Sequence, residues 1–157
     1  MNLLKREGEQ FVFRIGKRER NILLEVLKRY PVAWDVPYKI SQSADPRAAE
    51  ADQRLLEEAL AEQKKENKLQ LEAMLNSEGR FVEDDLGYRF TLTIQQMDWL
   101  LQVLNDIRVG SWMRLGSPDP KEGKSVKISE ENLQLGWAME MAGLYEMTLL
   151  QALREEE

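Results

Sequence analysis

The sequence contains neither cysteine nor histidine. Without a thiol it can form no disulfide, iron–sulfur site or cysteine nucleophile. Without imidazole it can build neither a serine-type triad nor the usual zinc site. Any catalysis would have to run on Asp, Glu, Lys, Tyr or Ser, a narrower field. Long apolar runs are also missing: nothing approaches the ~18 residues a membrane span needs. The opening MNLLKREGEQ lacks the apolar centre of a signal peptide. The expectation is a cytoplasmic protein with no membrane partner. Positive charge is the scarcer sign, with 22 Lys and Arg against 28 Asp and Glu for a net charge of −6. That balance argues against nucleic acid as a partner, because neutralising phosphates takes a concentrated basic face. No cofactor or metal is expected. Glu83, Asp84 and Asp85 lack the spacing of a calcium loop, and Gly123-Lys124-Ser125 lacks the first glycine and preceding strand of a phosphate loop.

What is present is a chain of 157 residues, 43% hydrophobic and 32% charged, suited to a single domain over 1–157. Its organising feature is an internal echo. Phe13 to Leu27 lines up without a gap on Phe90 to Leu104, so that Phe13, Ile15, Leu23, Leu24, Val26 and Leu27 coincide with Phe90, Leu92, Leu100, Leu101, Val103 and Leu104. In both copies alternation (Phe11, Phe13, Ile15; Tyr88, Phe90, Leu92) gives way to helical spacing. The reading is two strand-helix units, the alternative being chance likeness between amphipathic helices with apolar leaders. In the second copy Thr93 with Gln96 forms a capping box, which satisfies backbone N–H groups left free in the first helical turn.

The first helix, roughly Lys17 to Tyr30, is basic through Lys17, Arg18, Arg20, Lys28 and Arg29, a pattern that reads as a solvated face or as partners for acidic neighbours. Pro31 ends it. Residues 31–44 read as a loop whose Trp34 and Tyr38 either pack down on the helices or, for Trp34, present a binding hot spot. Asp45-Pro46 is a helix start, an acceptor at the cap and a proline where no N–H is needed. The helical pattern continues to about Asn76, a span of ~48 Å if unbroken. Its middle, Ala61 to Lys68, is polar all round, so the helix either breaks near Asn67 or projects from the globule to meet a partner, with a break or a projecting hairpin the preferred reading. Phe81 to Gly87 reads as a turn.

The helix from Ile94 to Leu115 sets Asn105, Asp106, Arg108 and Arg114 among Trp99, Leu100, Val103, Leu104, Ile107 and Trp112. Gly110 lies in its interior, where glycine costs ~1 kcal/mol relative to alanine and serves the close approach of another backbone or a kink, close approach being what the last helix would need. Ser129 caps a final helix that is apolar almost all round from Leu133 to Leu153. Such a helix is either central to the domain or half of a subunit interface. Gly136, Trp137, Met139, Gly143, Met147 and Leu150 are the candidate interface residues, with the methionines either adaptable docking contacts or core. Glu140, a carboxylate in that apolar setting, is expected to meet Arg108 or Arg114.

The segment WLLQVLNDIRVGSWMRLG (Trp99 to Gly116), with Leu-Asn-Asp-x-Arg at 104–108 and Arg114-Leu115-Gly116, followed by the terminal helix LGWAMEMAGLYEMTLLQAL, resembles a bacterial family labelled domain of unknown function 2017. The helix from Asp45-Pro46 to Leu60, with Arg54-Leu55, also resembles that family's middle. The resemblance implies no activity, cofactor or substrate. It implies likeness to accessory proteins often encoded beside a small adaptor of an ATP-dependent protease. The expected fold is mainly α, a helical bundle with a small two-stranded antiparallel β-ribbon built on the two strand-helix units. The expected function is non-enzymatic: an interaction or regulatory protein working through contacts with an unidentified protein partner, as a homodimer through its last helix. The alternative is a small-molecule or enzymatic pocket around Asp106, Arg108 and Arg114.

Overall fold

The structure, a computed structural model, describes residues 1–32, 45–123 and 125–154. In chain order it contains β1 (Asn2–Glu7), β2 (Gln10–Ile15), α1 (Lys17–Leu27), α2 (Pro46–Asn76), β3 (Val82–Asp84), β4 (Gly87–Thr93), α3 (Ile94–Arg114), one 3-10 turn at Pro120–Glu122, and α4 (Glu130–Arg154). Trp34 and Tyr38, the aromatics of the expected loop, lie outside the described residues.

The strands form one antiparallel sheet in the order β1-β2-β4-β3. This corrects the expected mainly α bundle with a two-stranded ribbon to a mixed α/β fold with a four-stranded sheet. The strands missing from the sequence reading are the two edges. β1 is exposed along nearly its whole length and carries Lys5, Arg6 and Glu7, while β3 is only Val-Glu-Asp. Charged residues on an edge discourage pairing with other chains. They also erase the alternation by which a half-buried strand is recognised.

The two units are therefore hairpin-helix units. The gapless alignment of Phe13 on Phe90 also carries the pairs Lys5–Val12 and Glu7–Gln10 of the first hairpin onto Val82–Arg89 and Asp84–Gly87 of the second. α1 and α3 begin at equivalent residues. Before α3, the Thr93 N–H donates to Gln96 Oε1 (3.0 Å) and the Gln96 N–H to Thr93 Oγ1 (3.2 Å). Before α1, Gly16 has no side chain to offer and only the returning bond forms, its N–H donating to Glu19 Oε2 (3.0 Å). β2 and β4 then pair so that Phe13 faces Phe90, their rings stacked with centroids 5.5 Å apart. Equivalent residues thus meet across an approximate two-fold axis, and the echo in the sequence is a repeat in the fold.

One sheet face, made of Phe11, Phe13, Ile15, Phe90 and Leu92, is covered by Leu23, Val26 and Leu27 of α1 and by Met97, Leu100, Val103, Leu104 and Ile107 of α3. α4 packs along α3 and reaches α1, where the buried Tyr145 hydroxyl donates to the Glu19 carbonyl at 2.7 Å. The basic run on α1 is largely engaged. Lys17 pairs with Glu83 and Lys28 with Glu25, while Arg20 lies between the rings of Phe81 and Tyr88 at 4.8 and 4.6 Å.

α2 runs unbroken from Pro46 to Asn76, which rules out the preferred break or hairpin and leaves the continuous helix. Its start is as expected, with Asp45 Oδ1 accepting from the Arg47 N–H at 3.0 Å. Its polar middle does not break because one residue there, Asn67, finds partners. Asn67 Nδ2 donates to the Tyr30 hydroxyl (3.3 Å), and Trp99 Nε1 donates to Asn67 Oδ1 (3.2 Å). Leu71, Met74 and Leu75 continue the same face into the core. Gly110 also serves another neighbour than the last helix: a Cβ added there would lie 2.8 Å from Val32 Cβ, so the segment leaving α1 is what presses on it. No helix among the described residues is long and apolar enough to cross a membrane.

Candidate interaction surface

Ser129 starts α4 by accepting the Asn132 N–H on its hydroxyl at 3.1 Å, and Glu130 and Glu131 occupy the first turn, where the helix dipole favours negative charge. One face of the helix, Leu135, Ala138, Ala142, Tyr145, Leu149 and Ala152, is buried. Small residues there let α4 lie close to its neighbours. The opposite face is apolar and uncovered: Leu133 is 64% exposed, Met147 60% and Leu144 49%, with Trp137 and Leu150 also exposed. So α4 is not the central helix of the domain. Trp137 leans toward α1, with the Arg29 guanidinium 5.7 Å from its ring centre.

Between α3 and α4 this face dips into a groove of ≈ 530 Å³ floored and walled by Arg108, Val109, Trp112, Met139, Glu140 and Gly143 among others. A second hollow of ≈ 470 Å³ continues past Gly143 and Met147 to Leu150 and Arg154. Trp112 is held in the wall by a bond from its Nε1 to the Pro118 carbonyl at 3.3 Å. Arg108 ties the two helices together. Its Nη2 donates to Asn105 Oδ1 (2.9 Å), its Nε forms an ion pair with Glu146 Oε2 (2.8 Å), and its aliphatic stem lies over Gly143, where an added Cβ would sit 3.5 Å from Cδ. Glu146 is only 13% exposed. Burial pushes its carboxyl above the ordinary carboxylate range, and the Arg108 guanidinium pulls part of the way back.

These positions correct the expected polar network. The carboxylate that meets Arg108 is Glu146, and Arg114 pairs with Glu131. Glu140 stays exposed at the groove edge, with no hydrogen bond or ion pair to a described residue. Gly136 meets nothing within 4 Å, so no neighbouring helix closes on it. Asp106, Arg108 and Arg114 do not line one pocket. At 3.6 residues per turn Asp106 and Arg108 point roughly 160° apart. The groups that interact electrostatically with Asp106 are Lys64 of α2 and the Tyr30 hydroxyl. Arg108, braced by Asn105, therefore ties α3 to α4, while Asp106 lies on a separate face of α3.

Asp106 bears on stability. Its Oδ2 is buried without a hydrogen-bond partner, and burial raises its carboxyl above the ordinary range against a smaller opposing pull from Lys64. A carboxyl whose pKa is raised by folding binds more protons in the folded than in the unfolded state. Stability is then lost as pH rises from the ordinary carboxylate range through the raised value. Asp106→Asn is expected to stabilise the protein at neutral pH by a few tenths to about 1 kcal/mol, solvent screening at this partly open site keeping the gain small. It should also flatten that part of the pH profile. Urea melts between pH 4 and 8 check this, and a less stable variant at pH 7 would show that the carboxylate has a partner it needs.

No protein-family model, curated protein or solved structure matches the chain.

Sequence reasoning missed Glu146, Val109 and the placing of Trp112 in the groove wall, along with Asn67, Tyr30 and Val32. A signal for Glu146 exists in that it lies one turn from both Gly143 and Leu149 on the flank of the buried face. Nothing in the sequence marks which of the α4 carboxylates faces α3. Among the described residues no group of acidic side chains is placed to hold a metal ion. Asp84 is instead engaged by the Leu86 N–H (3.0 Å) and by Arg14 (3.1 Å), which hold its carboxyl below the ordinary range.

Proposed function

We propose that this is a non-enzymatic interaction protein, working through protein–protein contacts made by the outer face of α4 and the groove beside it, and self-associating through that face. The observation that supports the reading is the row Leu133, Trp137, Leu144, Met147 and Leu150, exposed along one side of a single helix. Isolated apolar residues are normal on a surface, but five on one side of a single helix beside a groove, with Glu140 between Trp137 and Leu144, are the usual mark of a contact site. The groove is also apolar along much of its wall through Val109, Trp112, Met139, Leu144 and Met147. Methionines suit such a surface, since an unbranched, polarisable side chain adapts to its partner. The resemblance of Trp99–Gly116 and the terminal helix to a family likened to accessory proteins, often encoded beside a small adaptor of an ATP-dependent protease, is in keeping with a role played through contacts.

A photoreactive phenylalanine analogue placed at Leu144, with another at the exposed Glu78 as control, tests this in cells. Protein adducts at position 144 and none at position 78 are the expected result. An absence of adducts at 144, or equal adducts at both positions, would overturn the reading.

A further inference from the structure

We infer that the partner of the α4 face is a second copy of this chain, docked antiparallel along α4 about a two-fold axis at Met147. The inference rests on the reading of that face as a contact surface. Its starting point is the charge pattern. Glu140 and Arg154 lie two helical turns to either side of Met147, on the same exposed side of α4. Neither makes an ion pair or hydrogen bond with a described residue. Both border the grooved face, Glu140 in the first hollow and Arg154 in the second.

A two-fold interface must be complementary to itself, each contact occurring twice. With the axis at Met147, Glu140 meets Arg154 of the partner subunit and Arg154 meets Glu140 of the partner subunit. Leu144 then falls opposite Leu150 of the partner subunit, and the two Met147 side chains meet at the centre. A parallel pairing at the same level sets Glu140 against Glu140 and Arg154 against Arg154, and like charges across an interface are strongly disfavoured. Leu144, Met147 and Leu150 supply the affinity, and the two charge pairs set direction and register.

Charge exchange tests the register. Sedimentation equilibrium is run on the wild type, Glu140→Arg, Arg154→Glu, the double exchange Glu140→Arg/Arg154→Glu, and Met147→Glu. The substituted side chains are exposed, so the far-UV circular-dichroism spectra of all variants at 25 °C should agree with wild type and show that loss of dimer is not loss of fold, although the monomeric variants melt lower because dimerisation stabilises the folded state. The expected result is a wild-type dimer whose dissociation constant rises at least about tenfold in each single charge reversal and returns to near wild type in the double exchange. Met147→Glu should be monomeric. A wild type that stays monomeric at 100 µM overturns the inference, and adducts to another protein at position 144 would leave the contact-surface reading standing. A dimer lost in Met147→Glu but indifferent to both charge reversals overturns the antiparallel register alone. A dimer indifferent to every variant removes α4 as the interface and overturns both.

Discussion

Replacing Phe13 by alanine is expected to cost about 3–5 kcal/mol of stability, among the largest losses any single residue here can cause. Phe13 is fully buried on the covered face of the sheet and directly opposite Phe90, whose ring stacks on it at a centroid distance of 5.5 Å and an interplanar angle of 22°. Truncation removes the transfer energy of a whole ring. It also leaves a cavity that is hard to close, because β2 and β4 are held at their spacing by the ladder between them. Phe90 extends the cluster by packing against Phe81 at 5.3 Å, so Phe90→Ala should cost a similar amount. The double variant should be less unstable than the sum of the two by about 0.5–1.5 kcal/mol, the share that belongs to the pair itself. Urea denaturation of the four proteins measures all of this. A loss below about 1 kcal/mol for either single variant would mean that the sheet closes over the gap and that the two units do not meet rigidly at these rings.

The second large effect runs against local propensity. Glycine inside a helix is ordinarily worse than alanine by ~1 kcal/mol, so Gly110→Ala would stabilise an isolated α3. In the folded protein an added Cβ lies 2.8 Å from Val32 Cβ, 3.1 Å from Val32 Cγ1 and 3.4 Å from the Val32 carbonyl oxygen. The obstacle is the root of a β-branched side chain and its backbone, and Val32 is itself only 5% exposed. Gly110→Leu is therefore expected to destabilise by about 2–3 kcal/mol, with Gly110→Ala losing less. Val32→Ala in the Gly110→Ala background should restore part of the loss, since it removes the Cγ1 contact and softens the other. Thermal melts check the pair, and a Gly110→Leu variant as stable as wild type would show that the segment after α1 does not press on α3.

Gly110 also shows where reading the sequence stops. Its presence mid-helix announces that something approaches closely, but the approaching residue is Val32, remote in sequence and without any mark of its own. The internal echo, by contrast, was legible because strand alternation and helical spacing recur in the same order at Phe11–Leu27 and Tyr88–Leu104. β1 and β3 were not, because they lie at the sheet edges and have little or no buried face to impose a period of two. α2 illustrates the same limit in another form. A stretch polar on every side looks like a break, and it holds because Asn67 bridges Tyr30 and Trp99 from outside the helix.

At the candidate surface the sequence marked the helix and most of its apolar residues, including Trp137, Met139, Met147 and Leu150. It also marked Arg108 as a tie between helices, but not Glu146 as its partner. Glu140 and Glu146 stand within two turns of one another on α4. Which of them reaches Arg108 depends on the rotation of α4 about its own axis, and that is set by Ala138, Ala142 and Leu149 packing inward.

By itself, then, the sequence determined where helices start, which residues alternate, that the strand-helix order occurs twice, and that thiol and imidazole chemistry are absent. Those features depend on neighbours within a few residues, where backbone geometry and capping operate. Only the tertiary structure decided that the sheet has four strands, that Asp106 and Arg108 serve different faces of α3, and that one side of α4 is left uncovered. Burial and pairing depend on residues far apart in the chain, and an apolar helix has the same sequence whether its outer face is covered or open.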